Sequence, residues 1–334
     1  MNFFDKATLS FMGASTFALM VMAVAVPIDR TAYTPDAEFL PPDAVPEVVS
    51  AEELQLNSVK NGRPLYTVGA LLKAFSKINY DFHAVRNGKR PVPRLFVTSL
   101  PKDMRAIRVV ERRKELFFKS VLPLVLQVND EIRSDRARLV SLRTARANRI
   151  KTSAADRLWL AAMADRYKVD RDELTEMIRR VDIIPPSLGL AQAAEESGWG
   201  TSRFVIEGNA LFGQWTVDND QGLVPADRDA NKTHKIKAFD SLLDGVRAYA
   251  RNLNTHRAYR HFRSSRAQLR HGGSVLDGLS LSADLTSYSE RGEKYVESIQ
   301  NLIRVNRLEK LDRAKLSDEV VQLNRDVPNA GSAT

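Results

Sequence analysis

At 334 residues, the chain can form two domains, or one domain with long appendages. Its 50 Lys+Arg against 41 Asp+Glu leave a formal net charge of +9, which suits an anionic partner: a polymer with free carboxylates, a phospholipid surface or nucleic acid. The absence of cysteine excludes disulfide scaffolds, zinc-thiolate sites and cysteine nucleophiles.

Residues 7–26 are uncharged and mostly apolar, with Lys6 before them and Asp29-Arg30 after. About 20 such residues can cross a bilayer. Ala23-Val24-Ala25 offers a small-x-small cleavage site, so residues 1–30 are expected to be a membrane anchor or a signal peptide cleaved near Ala25. Either reading exports the rest of the chain. Five prolines and weak periodicity between Thr31 and Val68 predict a flexible linker, extended here to residues 31–100, because too little apolar surface is in register to offset the ordering entropy.

Beyond Ala106, Val109, Leu116, Phe117, Val121, Leu122, Leu124, Val125 and Val128 recur at helical spacing and predict one long helix kinked at Pro123. Its Arg-rich continuation, Arg133 to Lys151, is interleaved with acids and carries no reading motif. It is read as a solvated helix face, and no nucleic-acid partner is expected. Amphipathic helices over 154–167 and 172–181 complete a helical extension at 101–181.

Residues 185–198 read as a helix apolar on all sides, and hence buried, with Ser187 available as its cap and Gly198 as a left-handed terminator. Glu195 and Glu196 close it, at the negative end of the helix dipole, where carboxylates are disfavoured. Partial burial beside Trp199 or Phe212 would add to that effect and keep a glutamate protonated near neutral pH, as a general acid requires. The bland alternative is a solvated helix end. Further on, Gln214–Val217 and Thr233–Phe239 read as two strands of a small hairpin lobe. Asp240 or Ser241, with Asp244, caps a helix whose Leu242, Leu243, Val246, Tyr249, Ala250 and Leu253 share a face. A last helix over 290–305 turns Tyr295, Val296, Ile299, Leu302 and Ile303 inward, and residues 308–334 read as a disordered tail.

The run Ala191-Gln192-Ala193-Ala194, then Glu196-Ser197-Gly198-Trp199-Gly200, then Asn209-Ala210-Leu211-Phe212-Gly213 resembles the glucosaminidase family, glycoside hydrolase family 73, and most closely its Bax-type branch. The likeness covers about residues 100–307 and is densest between 188 and 256. It implies a mainly α (α+β) fold: a lysozyme-like helical lobe with a small β-hairpin lobe, the catalytic domain spanning 182–307. It also implies a peptidoglycan hydrolase that cleaves the β-1,4 bond after N-acetylglucosamine, with Glu196 on the general-acid position and Glu195 on a variable one. Peptidoglycan glycan strands are then the expected partner, and the periplasm, with the N-terminal segment in the inner membrane, the expected location. No cofactor is expected, and the five histidines show no metal-ligand spacing.

Glycosidic cleavage commonly uses a second carboxylate. Where a family-like sequence has an acid in the hairpin lobe, this chain has Lys235. The remaining candidates are Asp218, Asp220, Asp227 and Asp229, each more readily read as a turn residue. Two other routes stay open: attack by the substrate's own 2-acetamido oxygen, and a lytic-transglycosylase-like reaction on one glutamate. So does a catalytically weak glycan-binding or scaffolding protein. Trp199, Asn209, Phe212, Trp215 and Tyr288 are the candidate substrate contacts. Core packing is at least as good a reading for Trp199 and Phe212, and turn capping an equal one for Asn209. Tyr288, in YSERGEKY, resembles the family's tyrosine-containing motif.

Overall fold

The computed structural model describes residues 67–216, 222–223 and 235–318, together with two-residue strands at 59–60 and 63–64. The apolar stretch at residues 7–26, Asp218, Asp220, Asp227, Asp229 and the last residues of the expected tail lie outside these. Among the described residues, no helix is long and apolar enough to cross a membrane.

The fold is mainly helical. The strands are β1 (Val59–Lys60), β2 (Arg63–Pro64), β3 (Trp215–Thr216), β4 (Gly222–Leu223) and β5 (Lys235–Lys237). Helices α1 (Val68–Lys77) and α2 (Phe82–Arg86) come first, followed by the long α3 (Val110–Ala147), α4 (Ala154–Tyr167) and α5 (Leu174–Arg180). The central α6 (Pro186–Ser197) and short α7 (Arg203–Gly208) lead into the small sheet, after which come α8 (Leu242–Thr255), α9 (Arg260–His271), α10 (Gly278–Leu281), α11 (Glu293–Val305) and a 3-10 turn, Leu308–Arg313. The expected hairpin is present, with β3 antiparallel to β5 and Trp215 opposite Ile236. A third strand, β4, adds to the other edge of β5, giving the order β3-β5-β4.

Helix α6 lies at the centre because it has no polar face to expose. Ten of its residues are buried, from Pro186 to Ala194 and Ser197, and it packs among α3, α10, α11 and the 3-10 turn. Helix α3 is continuous through Pro123. Its first part is buried from Leu116 to Phe118 and from Ser120 to Asn129, while its Arg-rich end pairs with acids: Arg138 with Asp156 at 2.8 Å and Arg146 with Asp172 at 3.1 Å.

Residues 67–100, expected as part of a flexible linker, are folded into this core. Leu71, Phe75, Val92, Leu95, Phe96, Val97 and Leu100 are buried. The expected tail is folded as far as Leu316, which pairs with Val92 in a parallel bridge: Val92 N–H donates to Lys315 O at 2.8 Å and Ser317 N–H to Val92 O at 2.7 Å. Helical periodicity could not reveal the 92–100 stretch, because its backbone is extended and irregular and its partners come from distant parts of the sequence.

The entry to α6 is equally long-range. The buried segment 182–184 has no ladder of its own, so side chains satisfy its backbone. Asn129 bonds both Ile184 O and Ile184 N, at 2.8 and 3.1 Å. Asn254 Nδ2 donates to Asp182 O at 2.9 Å, and buried Arg266 donates to Asp182 O and Ile183 O at 3.0 and 2.9 Å. Burial pushes the Asp182 carboxyl up, but hydrogen bonding by Arg270 and the charges of Arg266 and Arg136 outweigh it and hold it below the usual range. Ser187 is not the cap of α6. It lies in the first turn, and its N–H and hydroxyl both donate to Asp312, at 2.8 and 2.7 Å.

Candidate active site

The C-terminal end of α6 carries the candidate acid, Glu196. The helix stops at Gly198 in the left-handed conformation, and Trp199 and Gly200 also have positive φ, so the chain turns sharply just after Glu195 and Glu196. Glu196 is half-buried. Its Oε1 accepts a hydrogen bond from the Tyr295 hydroxyl at 2.9 Å. That hydroxyl accepts in turn from Gln192 Nε2 at 2.9 Å, and Gln192 Oε1 accepts from the Tyr249 hydroxyl at 2.6 Å. A buried chain of donors, Tyr249 to Gln192 to Tyr295, thus ends on one oxygen of Glu196. Gln192 stands one helical turn before it.

The other oxygen, Oε2, faces Gly213. A Cβ at Gly213 would sit 3.8 Å from it, and the φ of +58° makes any larger residue strained there. Burial is the largest influence on the Glu196 proton and holds it above the ordinary glutamate range; neighbouring Glu195 adds to this, while the Tyr295 hydrogen bond and Arg291 oppose it. The carboxylate that bears on Glu196 is Glu195, itself tied to Arg291 at 2.6 Å.

The other candidates divide. Tyr288 is brought to the site: its ring stacks on Tyr295 at 5.4 Å and 9°, and lies tilted at 38° to the Tyr259 ring, 5.9 Å away. Phe212 is buried and stacks face to face on Tyr249, at 3.8 Å, which supports the donor chain rather than offering a free face. Trp199 packs edge-on against Phe117 and Phe118, with Lys114 Nζ 5.3 Å from its ring centroid, and so ties the turn to α3. Asn209 is buried in a left-handed turn, and its amide donates to Phe239 O and Asp240 O, both at 3.1 Å, joining the α7 turn to the start of α8. For these three the packing or capping reading is what the geometry displays. The Trp215 backbone lies in β3, and its side chain is outside the described residues. Lys235 is in β5, paired opposite Thr216.

Sequence reasoning placed Tyr295 in the core, which is correct for its ring, but missed that its hydroxyl reaches Glu196. A buried tyrosine hydroxyl must find a partner, and that need was the available signal. Among the described residues no cluster of three or more His, Asp or Glu is spaced to hold a metal ion.

Residues 172–308 match the family profile described as Glucosaminidase, mannosyl-glycoprotein endo-beta-N-acetylglucosaminidase. The chain is also 36% identical over 207 residues to protein Bax of Escherichia coli (strain K12), a match spanning 59% of this chain and 71% of that protein. The chain belongs to the glucosaminidase family. Its enzymatic class is therefore that of the glycoside hydrolases, with a glycan as substrate. No solved structure matches it significantly. The matched glucosaminidase region contains α6, Gly213 and the tyrosine-bearing α11, but it stops before Asp312, which bonds the first turn of α6.

Proposed function

We propose that this glucosaminidase is an exported peptidoglycan hydrolase that cleaves the β-1,4 bond after N-acetylglucosamine, with Glu196 as its general acid. The observation that carries the reading is a half-buried carboxyl that burial holds above the ordinary glutamate range, bonded at Oε1 by the Tyr295 hydroxyl and facing Gly213 with Oε2. Protonated Glu196 gives its proton to the glycosidic oxygen as the bond from that oxygen to C1 breaks. Such a positioned acid typically contributes about 10²–10⁴-fold.

For the developing positive charge at C1, Glu195 is an unsuitable partner because Arg291 already engages it. The substrate's 2-acetamido oxygen fills the role: it bonds to C1 as the leaving group departs, and water then attacks C1, breaking the bond from C1 to the acetamido oxygen and giving a proton back to Glu196. Tyr288, stacked on the tyrosine that holds the acid, is the proposed sugar contact. Residues 7–26 support a periplasmic site of action, with the chain tethered to the inner membrane or released by cleavage near Ala25.

Lys235, standing where an acid is expected, favours one other reading: a glycan-binding or scaffolding protein with little turnover. Incubation of the purified protein with peptidoglycan, followed by mass spectrometry of the soluble fragments, separates the two. New reducing N-acetylglucosamine ends that disappear in Glu196→Gln are expected. Sedimentation with peptidoglycan in the absence of fragments would leave only the binder.

A further inference from the structure

Glu196 has a second carboxylate beside it that the proposed chemistry does not use. Glu195 accepts from Arg291 Nη1 at 2.6 Å, and Arg291 Nη2 also donates to Ser298 Oγ on α11. The guanidinium carbon lies 5.8 Å from the centroid of the Tyr295 ring, close enough for a cation–π contact. One guanidinium therefore touches both the carboxylate adjacent to Glu196 and the ring whose hydroxyl holds Glu196. Arg291 belongs to the same short segment as Tyr288, just before α11.

The groups that act on Glu196 come from every side of it. They are Glu195 on α6, Tyr249 on α8, Tyr259 before α9, Tyr288 and Arg291 in the segment before α11, and Tyr295 on α11. Burial pushes all four tyrosine hydroxyls above their ordinary range, so they are neutral at working pH. Among the described residues, that leaves Glu195 and Arg291 as the charged neighbours, of opposite sign and paired.

We propose that Arg291 is a positioning residue for Glu196: by pairing with Glu195 it cancels the anion beside the acid, and it pins the Tyr288–Tyr295 segment over the end of α6. The inference rests on the reading of Glu196 as the acid and names what sets its working pH. The signs follow from the charges. Without Arg291, Glu195 is uncompensated, and a neighbouring anion makes Glu196 keep its proton to higher pH. Without the charge of Glu195, the bare guanidinium makes Glu196 give up its proton at lower pH. Removing both charges cancels the two effects.

The test is a ¹³C NMR titration of glutamate side-chain carboxyls in the full chain, with the Glu196 signal assigned by its loss in Glu196→Gln. Wild type is compared with Arg291→Gln, Glu195→Gln, the double variant and Arg291→Lys. The midpoint is expected to move up in Arg291→Gln and down in Glu195→Gln, each by on the order of half a pH unit. It should stay near the wild-type value in the double variant and in Arg291→Lys, and both shifts should shrink in about 1 M salt. Any alkaline limb of a pH–activity profile moves in the same directions. Midpoints that do not move, or that move the same way in both single variants, would overturn the inference, even if thermal melting were altered. Because the titration needs no turnover, opposed shifts in a protein that never cleaves glycan would sustain the charge pair and refute the hydrolase reading alone.

Discussion

The two ends of α6 obey opposite rules. At its N-terminus a carboxyl sits where the helix dipole favours its charged form, although burial pushes its pKa up to about 6: Asp312 accepts from Ser187 N–H, the Ser187 hydroxyl and Gly278 N–H, at 2.8, 2.7 and 3.0 Å. Packing is so close that a Cβ on Gly278 would lie 2.2 Å from Ser187 Oγ and 2.6 Å from Leu188 N. At the C-terminus two carboxylates sit where the dipole disfavours them, next to a run of positive-φ residues. One end is arranged for stability. The other tolerates local conflict so that a carboxyl can hold its proton, and the first end is part of what makes that tolerable.

That contrast can be broken at several points. Glu196→Gln carries the largest expected effect: glycan cleavage falls by about 10³-fold or more, while the fold persists. Its stability relative to wild type gives a second readout with a definite sign. Since the folded protein holds the Glu196 proton above the ordinary range, wild type loses stability as pH rises through that folded value, whereas the glutamine variant does not. Chemical denaturation of both proteins at acidic and neutral pH should show a gap that opens with rising pH. A gap that opened toward acid would contradict the burial argument.

Asp312→Ala is the counterpart at the other end. It leaves three donors without their acceptor and should cost about 2–4 kcal/mol, read as a lower denaturation midpoint, with activity lost only as far as the fold is. A variant that kept full stability but lost activity would mean the two ends are not divided in this way. Gly278→Ala should cost about 1–3 kcal/mol through the clash with Ser187 and Leu188, measured by the same denaturation curves. The mildest change is Tyr295→Phe, which removes a donor to the charged form of Glu196. The alkaline limb of activity should move upward, with a cleavage rate reduced by about tenfold or less. A downward move would mean that the hydroxyl does not donate to Glu196.

Much of this contrast was legible in the sequence where the interactions are local. The all-apolar run of α6, its Gly198 terminator and the Ser241–Asp244 capping box depend on residues within four positions of each other, and the structure contains all three. The motif around Glu196 likewise pointed to the family. By contrast, Asp312 was assigned to a disordered tail and Ser187 to a cap, since nothing local tells a serine in the first turn from one preceding it. Leu95 to Leu100 were assigned to a linker for the same reason.

By itself the chain's sequence determined which segments are helical, which helix must be buried and which carboxyl stands at its exposed end, because periodicity, capping and dipole placement are short-range. Tertiary structure alone decided that Asp312 anchors that helix across 125 positions and that Tyr295 reaches Glu196 across 99. It also decided which aromatic rings pack against one another, as Phe212 does on Tyr249 and Tyr288 on Tyr295. A buried polar atom must be satisfied, but its partner can come from anywhere in the chain, and only the folded arrangement names it.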